Sequence, residues 1–177
     1  IGRTPYLWKM EPEHQETVID HLEHIYGGTW QDKGFEERLL EIAQRITLDC
    51  YEEVWEDLQY RTEGSYLEGL DEYSGKIHLR ETMQSSISYT LLARCGMDME
   101  NYEELLNFDY IHEFNTVPAL SQLGSNITEL CKPVLVEIGK AIRVYDREIT
   151  KKRVANRNNL DYNALKRESE KENTVED

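Results

Sequence analysis

Three histidines are the first residues whose type and spacing invite a chemical test. His14, His21 and His24 stand at i, i+7 and i+10. At about 100° per residue on a helix, His14 and His21 fall nearly in line and His24 lies about 60° away. Asp20 and Glu23 stand nearby. A zinc site needs three or four ligands converging on one point. An i, i+3 pair supplies two, but His14 is two turns from His21. The spacing therefore predicts solvated or helix-packing histidines and no bound metal. His78 and His112 are isolated and read as structural. The chain has no GxxxxGK[ST] or GxGxxG loop, no HExxH helix and no GxSxG elbow. No Ser/His/Asp or Cys/His set is apparent. The expectation is a non-enzyme without a cofactor.

Carboxylates are the other abundant chemistry. The 177 residues hold 35 Asp+Glu against 20 Lys+Arg, a formal charge of −15. Residues 1–150 hold 29 acids and 13 bases, or −16, and 151–177 hold 6 and 7, or +1. Two runs concentrate the acid. From Glu52 to Glu72 stand Glu52, Glu53, Glu56, Asp57, Glu63, Glu68, Asp71 and Glu72, with Arg61 as the one base. From Asp98 to Glu113 stand Asp98, Glu100, Glu103, Glu104, Asp109 and Glu113, with no Lys or Arg. Such runs repel themselves. They serve either as a solvated face that keeps the chain in solution or as a surface that copies a nucleic-acid backbone. Tyr51, Tyr60, Tyr66, Tyr73 and Tyr102 are interleaved with them. The charge excludes phosphate backbones and anionic membranes as direct partners.

The elements that position these residues are predicted to be mainly α. The expected architecture is a compact domain of about six to seven helices, with at most a small β element near the N-terminus. Pro5–Met10 is the candidate strand. Pro12 opens a helix and Gly27-Gly28 ends it. Further helices are expected from Gly34 to Leu48, over Tyr51–Tyr60, and from Leu79 to Cys95 with Gly96 just beyond. Gly64, Gly69 and Gly75 mark 61–77 as a loop or irregular hairpin. Tyr102–Asn107 and Asp109–Phe114 read as short helices. Thr116 caps another that ends at Gly124. The last begins near Ser125 and carries a seam of Ile127, Cys131, Val134, Ile138, Ala141, Tyr145 and Ile149. Pro133 should kink it. The expected division is an acidic helical domain over 1–150 and a polar, mixed-charge tail over 151–177, largely disordered, with a short helix near Leu160–Glu168. A chain this long buries roughly 70% of its unfolded surface and needs no disulfide or metal. Cys50, Cys95 and Cys131 fit neither a disulfide framework nor a CxxC site, so buried thiols in a reducing cytosol are expected. No apolar run is long enough for a transmembrane helix, and no signal peptide is visible. A chain opening on Ile1 is expected to have been trimmed or to belong to something longer.

Two stretches carry a resemblance. One is Glu81-Thr82-Met83-Gln84-Ser85-Ser86-Ile87-Ser88-Tyr89 through Leu92-Ala93-Arg94-Cys95-Gly96-Met97-Asp98 and Tyr102; the other is Phe108-Asp109-Tyr110-Ile111-His112-Glu113-Phe114-Asn115-Thr116 with Leu120-Ser121-Gln122-Leu123-Gly124. With Tyr162–Glu170, they resemble the C-terminal part of LtrC-like and ArdC-like antirestriction-type proteins of Gram-positive conjugative elements and plasmids. In that family a helix of the form E-S-x-A-Y supplies a ligand glutamate to a zinc peptidase-like site. Here Ser85 stands at the matching place and HExxH is missing, so the resemblance implies no peptidase. The basic DNA-binding region of the family is missing too. What the resemblance implies is a cytoplasmic protein of a mobile element in a bacterial host, such as a plasmid or phage, from a group that counters host defence.

Two functional readings follow. In the first, the chain inhibits a host DNA-defence nuclease, a Cas or restriction enzyme, by occupying its basic nucleic-acid surface. Glu52, Glu53, Glu56, Asp57, Asp98, Glu100, Glu103 and Glu104 would replace phosphates, with Tyr102 among the anchors. In the second, it is a non-catalytic interaction module of a larger conjugation or replication protein. It would then pack through the Ile127–Ile149 helix and the Ser85–Tyr89 patch. A monomer is the favoured state.

Overall fold

The computed structural model describes residues 7–29 and 31–173, apart from the side chains of 159, 161 and 163–173. Helix α1 spans Pro12–Tyr26, with Pro12 in its first turn, where no backbone donor is needed. The Glu11 N–H donates to His14 Nδ1 at 3.3 Å, closing the N-terminus. Gly27 ends the helix at φ 94°, and its N–H donates to the Glu23 carbonyl. Val18, Ile19 and Leu22 form the buried stripe.

Helix α2 is one element, Phe35–Leu58, where the sequence pattern divides it at Leu48–Cys50. Its apolar stripe changes rows there: Leu48 is 48% exposed, and burial resumes at Val54 and Trp55. A 3-10 turn, Gln59–Arg61, follows. Helix α3 spans Glu72–Arg94 and begins well before the expected Leu79. Asp71 caps it by accepting from the Ser74 N–H at 3.0 Å. Gly75 lies inside α3, against Trp55, instead of in a hairpin: a Cβ there would stand 2.2 Å from Trp55 Cη2. The glycine is what lets the indole lie on the helix backbone. Gly96 ends α3 at φ 78°, as expected from the sequence.

Helix α4 spans Val117–Asn173. Thr116 Oγ1 accepts from the Ala119 N–H at 3.4 Å. The helix passes through Gly124 and Pro133, and it continues through 151–173, where the sequence reading expects a largely disordered tail. Gly124 fails as a stop because it does not adopt positive φ, unlike Gly27, Gly64 and Gly96.

The fold is mainly α, and among the described residues there are four α-helices and short 3-10 turns in place of six or seven helices. No strand occurs among them; residues 7–10 are irregular and are strapped to α3 by the Trp8 N–H donating to the Arg94 carbonyl at 3.0 Å. Pro5 and Tyr6 of the expected strand lie outside the described residues.

The core forms two clusters along an antiparallel α2/α3 pair. The first joins Phe35–Ile46 of α2 to Ile87–Leu92 of α3 and Cys95 just beyond it, with Val18, Ile19 and Leu22 of α1 and Cys131–Ala141 of α4. The second joins Val54–Leu58 to Leu79 and Met83, with Phe114, Ala119 and Leu123. Each large apolar side chain fully buried here stabilises the fold by about 1.5–3 kcal/mol before entropy is counted. One charged side chain is buried between α1 and α2. Arg38 is 5% exposed. Its Nη2 lies 2.7 Å from Glu23 Oε1, and its Nε donates to the same oxygen at 2.8 Å and to Thr29 Oγ1 at 3.1 Å. The Thr29 hydroxyl closes the network by donating to Glu23. Burial pushes the Glu23 carboxyl up, but hydrogen bonds from Thr29 and Arg38 outweigh it and hold it below the usual carboxylate range.

Candidate functional site

The three α1 histidines do not converge. His14 Nε2 lies 3.0 Å from Asp146 Oδ1, and its ring meets Tyr145 edge-on at 4.7 Å. His21 Nε2 lies 2.9 Å from Glu137 Oε2. Both fasten α1 to α4, the packing role expected from the sequence, and His24 is exposed. Lys140 and then His21 hold the Glu137 carboxyl below its ordinary value. Among the described residues no group of His, Cys, Asp and Glu is arranged to hold a metal. His78 Nδ1 lies 2.7 Å from Glu113 Oε2 and the ring stacks on Tyr110 at 3.7 Å, an arrangement that ties α3 to the segment before α4.

The acidic runs separate into carboxylates that build the fold and carboxylates that face water unpaired. In the first run, Glu68 accepts from the Gly64 N–H at 2.7 Å, Asp71 caps α3, and Glu72 pairs with Lys76 at 2.7 Å. Glu52 accepts the Tyr51 hydroxyl at 3.0 Å and shares a cleft with Lys76 and Arg80 of α3. These two cations come from across the α2/α3 pair, so the sequence run, which has Arg61 alone, does not reveal them. Glu53, Glu56 and Asp57 are exposed and have no ion-pair partner among the described residues. In the second run, Asp98 accepts from the Glu100 N–H at 3.3 Å and Glu113 pairs with His78. Glu100, Glu103 and Glu104 are exposed and unpaired among the described residues.

The two groups do not form one patch. Tyr102 is half-buried against the first core cluster, and its hydroxyl bonds to Glu36 at the N-terminus of α2. Burial and then Glu36 raise the phenol above its ordinary value. Glu53 stands seventeen residues further along the same helix, about 25 Å away at 1.5 Å per residue. The carboxylates of 98–104 thus cluster near the start of α2 and those of 52–57 at its end. Tyr102 is committed to packing, whereas Tyr60, Tyr66 and Tyr73 are 82%, 64% and 75% exposed; Tyr73 shares the cleft of Glu52, and the Tyr66 ring meets His112 edge-on. The Ser85–Tyr89 patch is not a free surface: Ser85, Ile87 and Ser88 are buried in the bundle. The seam of α4 is likewise filled, with Cys131, Val134, Ile138 and Ala141 all buried.

The 52–57 carboxylates have one electrostatic peculiarity. Glu56 and Asp57 occupy the last turn of α2, and no basic residue accompanies them. The helix macrodipole is negative at that end, so each such acid costs about 0.3–1 kcal/mol. Four acids within six residues occupy about 9 Å of helix axis. That is one charge per about 2.3 Å, against roughly 1.7 Å in duplex DNA. No helix of the described residues is long and apolar enough to cross a membrane. No protein-family model, curated protein or solved structure matches the chain.

Proposed function

We propose that the chain is a non-catalytic inhibitor that binds the basic nucleic-acid surface of a host DNA-defence nuclease, through the C-terminal end of α2 and the exposed tyrosines beside it. The observation that carries this reading is the unpaired group Glu53, Glu56 and Asp57, with Glu52 beside it, held on a rigid helix at the end where negative charge is least favourable. Charge needed only for solubility costs less elsewhere on the surface. Charge needed at DNA-like density for Arg and Lys of a partner has to be concentrated on one element. Tyr60 and Tyr73 supply amphipathic anchors of the kind that dominate interface energetics. The resemblance to antirestriction-type proteins of mobile elements agrees with such a target and with a cytoplasmic setting in a bacterial host. The carboxylates at Asp98–Glu104, about 25 Å away, form a second contact point and not a continuation of the first.

The test is competition. Purified chain is titrated against a basic restriction or Cas nuclease of the host, with duplex DNA as competitor, from 50 to 200 mM salt. Displacement of DNA that weakens by a factor of ten or more over that range supports the reading. Changing Glu53, Glu56 and Asp57 together to Lys should abolish displacement, and changing Glu103 and Glu104 to Lys should slow association. Salt-independent binding, or displacement unaffected by the α2 triple change, overturns it.

The second reading, a non-catalytic interaction module of a larger protein, is favoured by α4 beyond Thr150. Every side chain described there is exposed. A polar helix extending without packing gains little stability of its own.

A further inference from the structure

A groove on the opposite chemistry runs along α4. Trp8, Thr90 and Arg94 form one wall; the α4 rows Ile127-Cys131-Leu135-Gly139-Arg143 and Thr128-Lys132-Val136 form the floor and other wall. The i, i+4 spacing of those rows makes them one continuous helix face. The groove encloses about 460 Å³ and is lined mostly by apolar atoms. Its charged residues are Arg94, Lys132 and Arg143, with no Asp or Glu.

That charge pattern runs against the rest of the molecule. Carboxylates outnumber cations 35 to 20 in the chain, yet none of these three has an ion-pair partner among the described residues. Arg94 is held instead by stacking, with its Cζ 5.2 Å from the centre of the Trp8 ring. Its Nε is buried and donates to no acceptor. An unmet charged donor beside an apolar trough costs stability unless something supplies the missing acceptor. Gly139 brings the indole and the Arg143 guanidinium together, since a Cβ there would lie 3.6 Å from Trp8 Cζ2 and 3.4 Å from Arg143 Nη1, in ordinary contact with both. Cys131 does not make the groove reactive: burial pushes its thiol up to about 11, so it stays protonated.

We infer that this groove binds a small amphipathic anion, an aliphatic or aromatic body bearing a single carboxylate or phosphate head. The apolar body lies over Ile127 and Leu135, and the head lies between Arg94 and Arg143, the two guanidinium groups beside Trp8; Lys132, eleven residues or about 16 Å of helix axis from Arg143, borders the groove further along. The volume is in the range of small-molecule sites, and a guanidinium with two forked donors suits a planar or tetrahedral anion. This inference does not depend on the acidic surface of α2, which lies on other residues.

The test uses the whole chain and decanoate as the probe, followed by calorimetry, with 1-decanol and decylamine as neutral and cationic controls. Decanoate is expected to saturate one site, at least tenfold more tightly than decanol, with decylamine not binding. Lys132→Gln and Arg143→Gln change exposed side chains. Arg143→Gln is expected to weaken decanoate by about tenfold, the scale of one charge-assisted hydrogen bond, and Lys132→Gln by less than twofold, with the circular dichroism unchanged in both. Decyl phosphate separates the two headgroups: whichever anion binds tighter names the head. Equal binding of decanol and decanoate, indifference to Arg143→Gln, or the lack of any saturable decanoate binding overturns the inference.

Discussion

At the scale of single residues, the Arg38–Glu23 pair shows how a charged network can sit inside an acidic molecule. The guanidinium is almost fully buried, and Glu16 and Asp20 lie beyond it at 3.6 and 3.7 Å. Arg38→Met leaves the Glu23 carboxylate without its partner in a site where its side chain is 11% exposed. The expected loss is about 3 kcal/mol, or roughly 6–12 °C in melting temperature for a chain of this size. Thermal unfolding of the variant measures it, and a loss under 2 °C would sink the assignment. The same pair sets an acid limit. Glu23 and Glu137 both titrate below their ordinary value of 4.5 in the folded chain. Their contribution is fully present above the unfolded value and is lost as pH falls through the folded values. Urea unfolding at pH 7, 5, 4 and 3 should therefore show a decline that starts near pH 4.5, and Glu23→Gln should shallow it.

At the scale of elements, α2 and α3 are tied by the contact of Trp55 with Gly75. Gly75→Ala gains about 1 kcal/mol of helix propensity. It also drives a methyl into a ring 2.2 Å away that is itself 6% exposed and cannot swing clear. Overpacking of that kind costs about 1–3 kcal/mol, so the net expectation is a less stable protein, read from its urea midpoint. The opposite sign is expected at the end of α2. Glu56→Lys and Asp57→Lys each place a cation against the helix C-terminus and should raise stability by about 0.3–1 kcal/mol. If both lower it, these carboxylates help hold the fold together and are not held in reserve for a partner. Elements were legible in the sequence where chain chemistry and backbone agreed. Pro12 and Gly27 mark α1 because one needs no donor and the other adopts positive φ. The starts and joins were less legible. Glycine reads as a breaker, but Gly75 serves a neighbouring indole and Gly124 keeps helical φ. Leu48 and Asp49 read as a break in α2 because the buried row shifts there. For the candidate site, the type and exposure of the carboxylates were legible, but Lys76 and Arg80 beside Glu52 come from a helix twenty-odd residues away in sequence. Sequence spacing alone does not reveal such neighbours, nor the three cations that share the α4 groove.

At the scale of the whole molecule, charge opposes folding and sets its response to salt. Unpaired carboxylates on α2 and on the 98–104 segment repel one another across a surface with few bases. The Debye length falls to about 10 Å at 0.1 M salt, so raising NaCl from 20 to 300 mM should increase the melting temperature by a few degrees, on the scale of about 2–4 °C per kcal/mol. The same addition should weaken binding to a basic partner, so stability and affinity move in opposite directions along one titration. A melting temperature that falls over that range would mean that attractive pairs outweigh the repulsion.

The three thiols give the bundle an internal clock. Burial lifts Cys95 to about 12 and Cys131 to about 11, and Cys50, half-buried, is raised as well. Alkylation proceeds through the thiolate, so Cys95 and Cys131 react with a reagent at pH 8 only in the moments when their surroundings part. Cys95 lies in the first core cluster, while Cys131 belongs to that cluster and also lines the groove of α4. Their labelling rates therefore time two different openings of one native chain. A molecule seated in the groove should slow the second without touching the first.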